Sequence, residues 1–146
     1  MQSRFRSGNA LADGAEHRSW FMGAFFAPED ARYSSDIEVK WASHPAGDRR
    51  EAWAAGGDVT TLTVLVSGLF LVQFAEGAYR LERPGDYVLL GPSFLHRWEA
   101  VEDSTMLTVR WRATSVEGDE VADGDDPGEW AIPSGAHTQS AENGDQ

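Results

Sequence analysis

A chain of 146 residues is long enough for one hydrophobic core and too short for two. It has no cysteine, which excludes disulfides, thiolate nucleophiles and cysteine-zinc sites. The formal charge of −12 is concentrated in one place: residues 114–146 hold nine acids and no base, leaving 15 acids against 12 bases in residues 1–113. Neither part offers the basic stripe that binding to a phosphate backbone requires, so nucleic acid is excluded as a partner. No apolar run is long enough to span a bilayer, and the first residues lack the apolar stretch of a secretory signal. The expectation is a cytoplasmic protein that does not bind membranes.

In chain order, residues 1–18 are small and polar without a sustained period and read as a flexible N-terminal arm. Residues 19–26, SWFMGAFF, are an aromatic strand candidate interrupted by Gly23. Such a strand could pack across a dimer interface or fold as an edge strand onto its own barrel. Residues 37–43 alternate, with Ile37, Val39 and Trp41 on one side and Glu38, Lys40 and Ala42 on the other. The turn His44-Pro45-Ala46-Gly47-Asp48 ends that strand, and residues 49–53 return toward the core. Residues 60–74 form two apolar strands broken at Ser67-Gly68. Residues 78–82 and 86–90 form the next pair, and 95–100 and 104–112 the last, joined at Val101-Glu102-Asp103. Short, evenly spaced strands with turn signals between them predict an all-β antiparallel jelly roll or barrel over residues 19–113. Residues 114–146 are rich in Gly, Asp, Glu, Ser and Ala, and cannot bury enough apolar area to offset their chain entropy. They read as a disordered acidic tail in which Trp130 and Ile132 form one apolar island.

Two stretches carry a family resemblance. One is the strand-glycine turn-strand run of residues 60–74. The other is PGDYVLLGPSFLHRWEA (residues 84–100), in which a Pro-Gly-Asp turn, a strand, a second turn and a strand bearing His96 follow in order. This resembles the core of the cupin superfamily over residues 37–112 and implies a cupin-like jelly-roll barrel, with a homodimer as the expected assembly. Metal-binding cupins supply two histidines and a glutamate from a first motif, the glutamate seven positions before a glycine. With Gly68 as that glycine, the glutamate position holds Thr61, and the histidine positions fall on Ala55 and Gly57 or on Ala54 and Gly56. None of these side chains can ligate a metal. His96 matches the histidine of the second motif if Gly85 opens it, but Ala100 stands at that motif's asparagine. The resemblance therefore implies a cupin without its metal or any other cofactor. His44, Glu51 and Asp58 are the residues that could rebuild a ligand set.

The candidate chemistry centres on His96, which shares a strand face with Trp98 and Ala100 and, in cupin geometry, points into the barrel. It is either a general acid or base in an aromatic pocket or a core histidine satisfied by a neighbour. His44, before a proline at a strand end, either converges on the pocket mouth or sits in a solvated turn. Arg110 shares parity with Arg112, Thr108 and Met106. Inward it would clamp an anion or a carbonyl, and a solvent-facing position is favoured. Glu38 and Lys40 are either a catalytic pair or, as favoured, a solvated strand face. Tyr87, Phe70, Phe94 and the tryptophans could line a pocket for a flat organic molecule or be ordinary core. The glycines form no phosphate loop or dinucleotide fingerprint. The reading is a metal-independent isomerase, cyclase or dehydratase acting by proton transfer on a small, largely apolar biosynthetic intermediate. The rivals are a non-catalytic ligand-binding or sensing barrel and an interaction protein with a solid barrel.

Overall fold

The structure is a computed structural model, and it describes residues 5–55 and 57–112. Among these residues nine antiparallel strands occupy β1 (Trp20–Met22), β2 (Ile37–His44), β3 (Arg49–Ala54), β4 (Val59–Ser67), β5 (Phe70–Phe74), β6 (Gly77–Leu81), β7 (Tyr87–Leu90), β8 (His96–Ala100) and β9 (Ser104–Arg112). They form a five-stranded sheet of order β1-β2-β9-β4-β7 facing a four-stranded sheet of order β3-β8-β5-β6. This is the jelly roll that the strand spacing predicts. The strand 19–26 is shorter than expected, and β1 pairs with β2 of its own chain as an edge strand.

Two sequence expectations are corrected. The strands at 78–82 and 86–90 do not pair with each other, nor do the last two: β6 lies on β5 and β7 on β4, while β8 lies on β5 and β9 on β2 and β4. The connection between β6 and β7 crosses from one sheet to the other. The Asp86 carboxylate accepts the backbone N–H groups of Glu82 and Arg83 at 3.0 and 2.9 Å, closing a turn with no hairpin register. The second concerns local structure within the segment read as an arm. Residues 10–13 form a one-turn helix, α1 (Ala10–Asp13), whose Asn9 side chain accepts from the Ala12 N–H at 3.0 Å. Arg6 binds the Asp13 carboxylate at 3.1 Å, so caps and ion pairs place a segment that shows no periodicity. The acidic segment 114–146, with Trp130 and Ile132, lies outside the described residues, as does Gly56.

Leu65, Leu81, Phe70, Val72, Ala100 and Met106 pack between the sheets as the centre of the core. Burying each large apolar side chain there contributes roughly 1.5–3 kcal/mol before entropy is counted. The Ser67-Gly68 break is obligatory for glycine. Gly68 has φ +108°, and a Cβ there would come within 2.3 Å of the Asp103 carbonyl oxygen. That turn fixes where β4 ends and β5 begins, and so which residues of β4 and β5 face inward.

Candidate functional site

A cavity of about 100 Å³ lies between the two sheets. On the four-stranded wall stand Arg50 and Ala54 of β3, Phe70 and Val72 of β5, and His96 and Trp98 of β8. On the five-stranded wall, Trp20, Lys40, Ala42 and His44 face them from β1 and β2. Thr61 and Thr63 of β4, Val88 and Leu90 of β7, and Met106, Thr108 and Arg110 of β9 complete that wall.

His44 is the last residue of β2, and its ring lies against Trp98 and Phe70, with centroids 4.5 and 5.6 Å away. Its Nδ1 is 2.7 Å from the Asp48 carboxylate, four residues on across the Pro45-Ala46-Gly47 turn. That turn is anchored. The Gly47 N–H donates to the Ala100 carbonyl and the Ala100 N–H to the Asp48 carbonyl, both at 2.8 Å. The Ala46 N–H donates to the Asp103 carboxylate at 2.8 Å. With Nδ1–H committed to Asp48, the lone pair of His44 is on Nε2. Burial holds the His44 pKa below the ordinary imidazole value, Asp48 opposes that shift, and the charge of Lys40 adds a little to it.

His96 opens β8, and its Nδ1 donates to the Phe94 carbonyl at 3.1 Å, which again leaves the lone pair on Nε2. Burial lowers its pKa as well, the Phe94 carbonyl opposes this, and Arg50 contributes a smaller lowering. Both imidazoles are therefore held toward the neutral form. Trp98 stacks on Phe70 at 5.3 Å. His96, Trp98, Phe70 and His44 thus meet on one cavity, and His44 converges on it with a carboxylate behind.

Three expectations about the site are corrected. Arg110 points inward: it is 3% exposed, bonded to Glu38 and stacked 4.1 Å over the Trp20 ring. Lys40 lines the same cavity and lies 5.2 Å from that ring, so Glu38 and Lys40 are not a solvated face. Strand parity reversed the reading, because the outer side of this sheet is the more apolar one. Tyr87 and Phe94 lie outside the barrel, 58% and 41% exposed. Tyr87 has the outward parity of β7, whose Val88 and Leu90 take the inward positions. Phe94 belongs to the turn before β8 and packs on Phe74 at 5.3 Å. Asp48 and Arg50 are site residues that the sequence reading did not single out, and Trp20 entered it only among the tryptophans as a group. The spacing of His44 and Asp48 across a Pro-Ala-Gly turn was the available signal for the first.

A divalent ion does not fit the residues around His96. Its cross-strand partner is Ala54, and Thr61 offers only a hydroxyl. Glu51 is exposed and bound by Arg49, and Asp58 does not line the cavity. Among the described residues no three His, Asp or Glu side chains are grouped as a metal would require.

No protein-family model and no curated protein sequence matches the chain. Solved structures do. A cupin protein from Bacteroides fragilis matches at 20% identity over 63% of this chain and 79% of its own, with a TM-score of 0.50. KdgF from Halomonas sp. matches at 19% identity over 56% of this chain and 74% of its own, TM-score 0.50. The cupin domain of Cnp3 from Schizosaccharomyces pombe matches at 11% identity over 56% and 59%, also at 0.50. The fold is the cupin fold. No helix among the described residues is long and apolar enough to cross a membrane.

Proposed function

We propose that the protein is a metal-independent cupin enzyme that moves a proton on a small organic molecule held in the barrel, in an isomerisation, cyclisation or dehydration. One observation carries this reading. His44 and His96, each with Nδ1 tied to an oxygen acceptor, stand on the wall of one cavity. Fixed tautomers with free Nε2 lone pairs, in a site partly screened from water, are what a general base needs. His44 is the stronger base of the two, because Asp48 stabilises the imidazolium it would form. His96 then orients the substrate or returns the proton.

The test begins with a thermal-shift screen of small carbonyl compounds. Those that stabilise the fold are incubated in D2O, and exchange of the C–H next to the carbonyl is followed by NMR. His44→Gln and Asp48→Asn should keep binding within a few-fold, and His44→Gln should lower exchange by about a hundredfold, the usual share of a positioned base. Binding without exchange for every ligand would instead support the sensing barrel.

The proposed assembly is a homodimer. On the outer side of the five-stranded sheet, Ile37 pairs with Trp111, Val39 with Val109 and Trp41 with Leu107. Leu62 and Val64 of β4 continue these rows. An apolar band across three strands fits a second copy of the same sheet.

A further inference from the structure

We infer that the ligand of this cavity carries a carboxylate, seated against Trp20, Lys40, Thr108 and Arg110. This rests on the reading of the cavity as a ligand site and adds the chemical class of the ligand.

The strand register sorts the five-stranded wall into rows. Trp20 lies opposite Lys40, Lys40 opposite Thr108, and Thr108 opposite Thr63. The adjacent inward row is Glu38, Arg110 and Thr61. The next row on the other side is Ala42, Met106 and Leu65, which belongs to the apolar core. The five-stranded wall is thus polar where Lys40, Thr108 and Arg110 stand and apolar at the row of Ala42 and Met106. Among the described residues that line the cavity there are three cations, Lys40, Arg50 and Arg110, and no carboxylate; Arg110 is bonded to Glu38, which stands in the same row.

A second observation is independent of charge. The Trp20 indole Nε1–H is buried and has no acceptor among the described residues, although Trp20 lines the cavity. An indole N–H can only donate, so an oxygen is required to satisfy it. A carboxylate has two oxygens and can take the indole N–H together with an ammonium or a hydroxyl, as charge-assisted bonds.

Size limits the rest of the molecule. A space of about 100 Å³ is smaller than an engineered cavity of ~150 Å³ that admits benzene. The part of the molecule held between the sheets is therefore a short chain. Ala42, whose small side chain separates Lys40 from His44 along β2, leaves room for that chain to run from Lys40 toward His44, Trp98 and Phe70.

The probe is propionate, with propionamide as its neutral counterpart of the same shape and inorganic phosphate as an anion without an apolar body. Binding is followed on the Trp20 indole N–H in a 1H–15N spectrum, assigned with Trp20→Phe. Propionate should shift that resonance and bind about tenfold or more tighter than propionamide, the difference between a charge-assisted and a neutral hydrogen bond. Lys40→Met, which keeps the stem and removes the charge, should lose about tenfold of propionate affinity and leave propionamide unchanged. Thr108→Val is the second variant if Lys40→Met fails to fold. Equal affinity for acid and amide, tighter binding of phosphate, or unchanged propionate binding in a folded Lys40→Met would overturn the inference. None of these readouts involves proton exchange. Failure of the catalytic reading with propionate still bound at Trp20 is therefore a distinct result.

Discussion

Replacing Glu38 by Gln tests whether the inward arginine is a structural as well as a binding element. Arg110 is almost fully enclosed and its Nε donates to the Glu38 carboxylate, whose side chain keeps 27% of its exposure. Removing one partner of a fully buried pair costs about 3–5 kcal/mol, because the remaining charge is stranded in a poor solvent. Two features reduce that figure here. Glu38 is partly hydrated already, and the Trp20 face 4.1 Å from the guanidinium carbon continues to stabilise the cation. Glu38→Gln should therefore destabilise by about 2–3 kcal/mol. For a folded unit of this size that lowers Tm by roughly 8–12 °C, taking the lower sensitivity of about 4 °C per kcal/mol. Arg110→Met keeps the buried stem and removes the charge, so it should cost less than Glu38→Gln. The double variant should be more stable than Glu38→Gln alone. Calorimetry on the four proteins closes the cycle. A Tm for Glu38→Gln within about 2 °C of the parent, together with additive effects, would show that the guanidinium is hydrated and that the inward placement of Arg110 is wrong.

Trp111→Glu, in the middle of the outer apolar band, should convert a dimer to a monomer in sedimentation without lowering helix or strand content. A parent protein that sediments as a monomer would remove the homodimer proposal. The two imidazoles also set an acid limit on stability. Both have folded pKa values below the ordinary 6.5, so the unfolded chain takes up protons first as pH falls, and Tm should decline from about pH 6.5 downward until the folded values are reached. His44→Gln and His96→Gln should each flatten that decline, and an unchanged slope in both variants would refute the burial argument.

The strands were legible in the sequence because each is short, β-branched or aromatic, and closed by a turn residue, and eight of their positions were readable to within a residue or two. That His96 and Trp98 share one face of β8 followed from the same pattern, and that this face is inward followed from the cupin resemblance. Arg110 and Lys40 were misread for one physical reason. In β2 and β9 the large apolar residues, Ile37, Val39, Trp41, Leu107, Val109 and Trp111, face outward, while Lys40, Thr108 and Arg110 face the cavity. Reading apolar residues as inward assumes that the cavity side of a sheet is its more apolar side, and in β2 and β9 the cavity side carries Lys40, Thr108 and Arg110. The Asp48 contact had only the His44/Asp48 spacing as its signal, because it depends on how a Pro-Ala-Gly turn folds back. Helix α1 depends on a cap and ion pairs and carries no period.

The two proposals meet at His44. A base must accept a proton without leaving an unsupported cation, and the surroundings of the two imidazoles differ in that respect. An imidazolium at His44 would lie against the Asp48 carboxylate and 4.5 Å from the Trp98 ring, both of which favour positive charge. At His96 it would meet a carbonyl and the charge of Arg50. What opposes protonation of His44 is burial, with a smaller contribution from Lys40. A carboxylate bound at Lys40 would neutralise that second effect and bring negative charge into the same enclosed space, so docking of the ligand would itself raise the basicity of His44. A neutral ligand of the same shape would fill the cavity and leave the base weak. On this account Lys40 does more than attract an anion: it adds a little to the burial that disfavours an imidazolium at His44, and the ligand's own charge would offset that contribution.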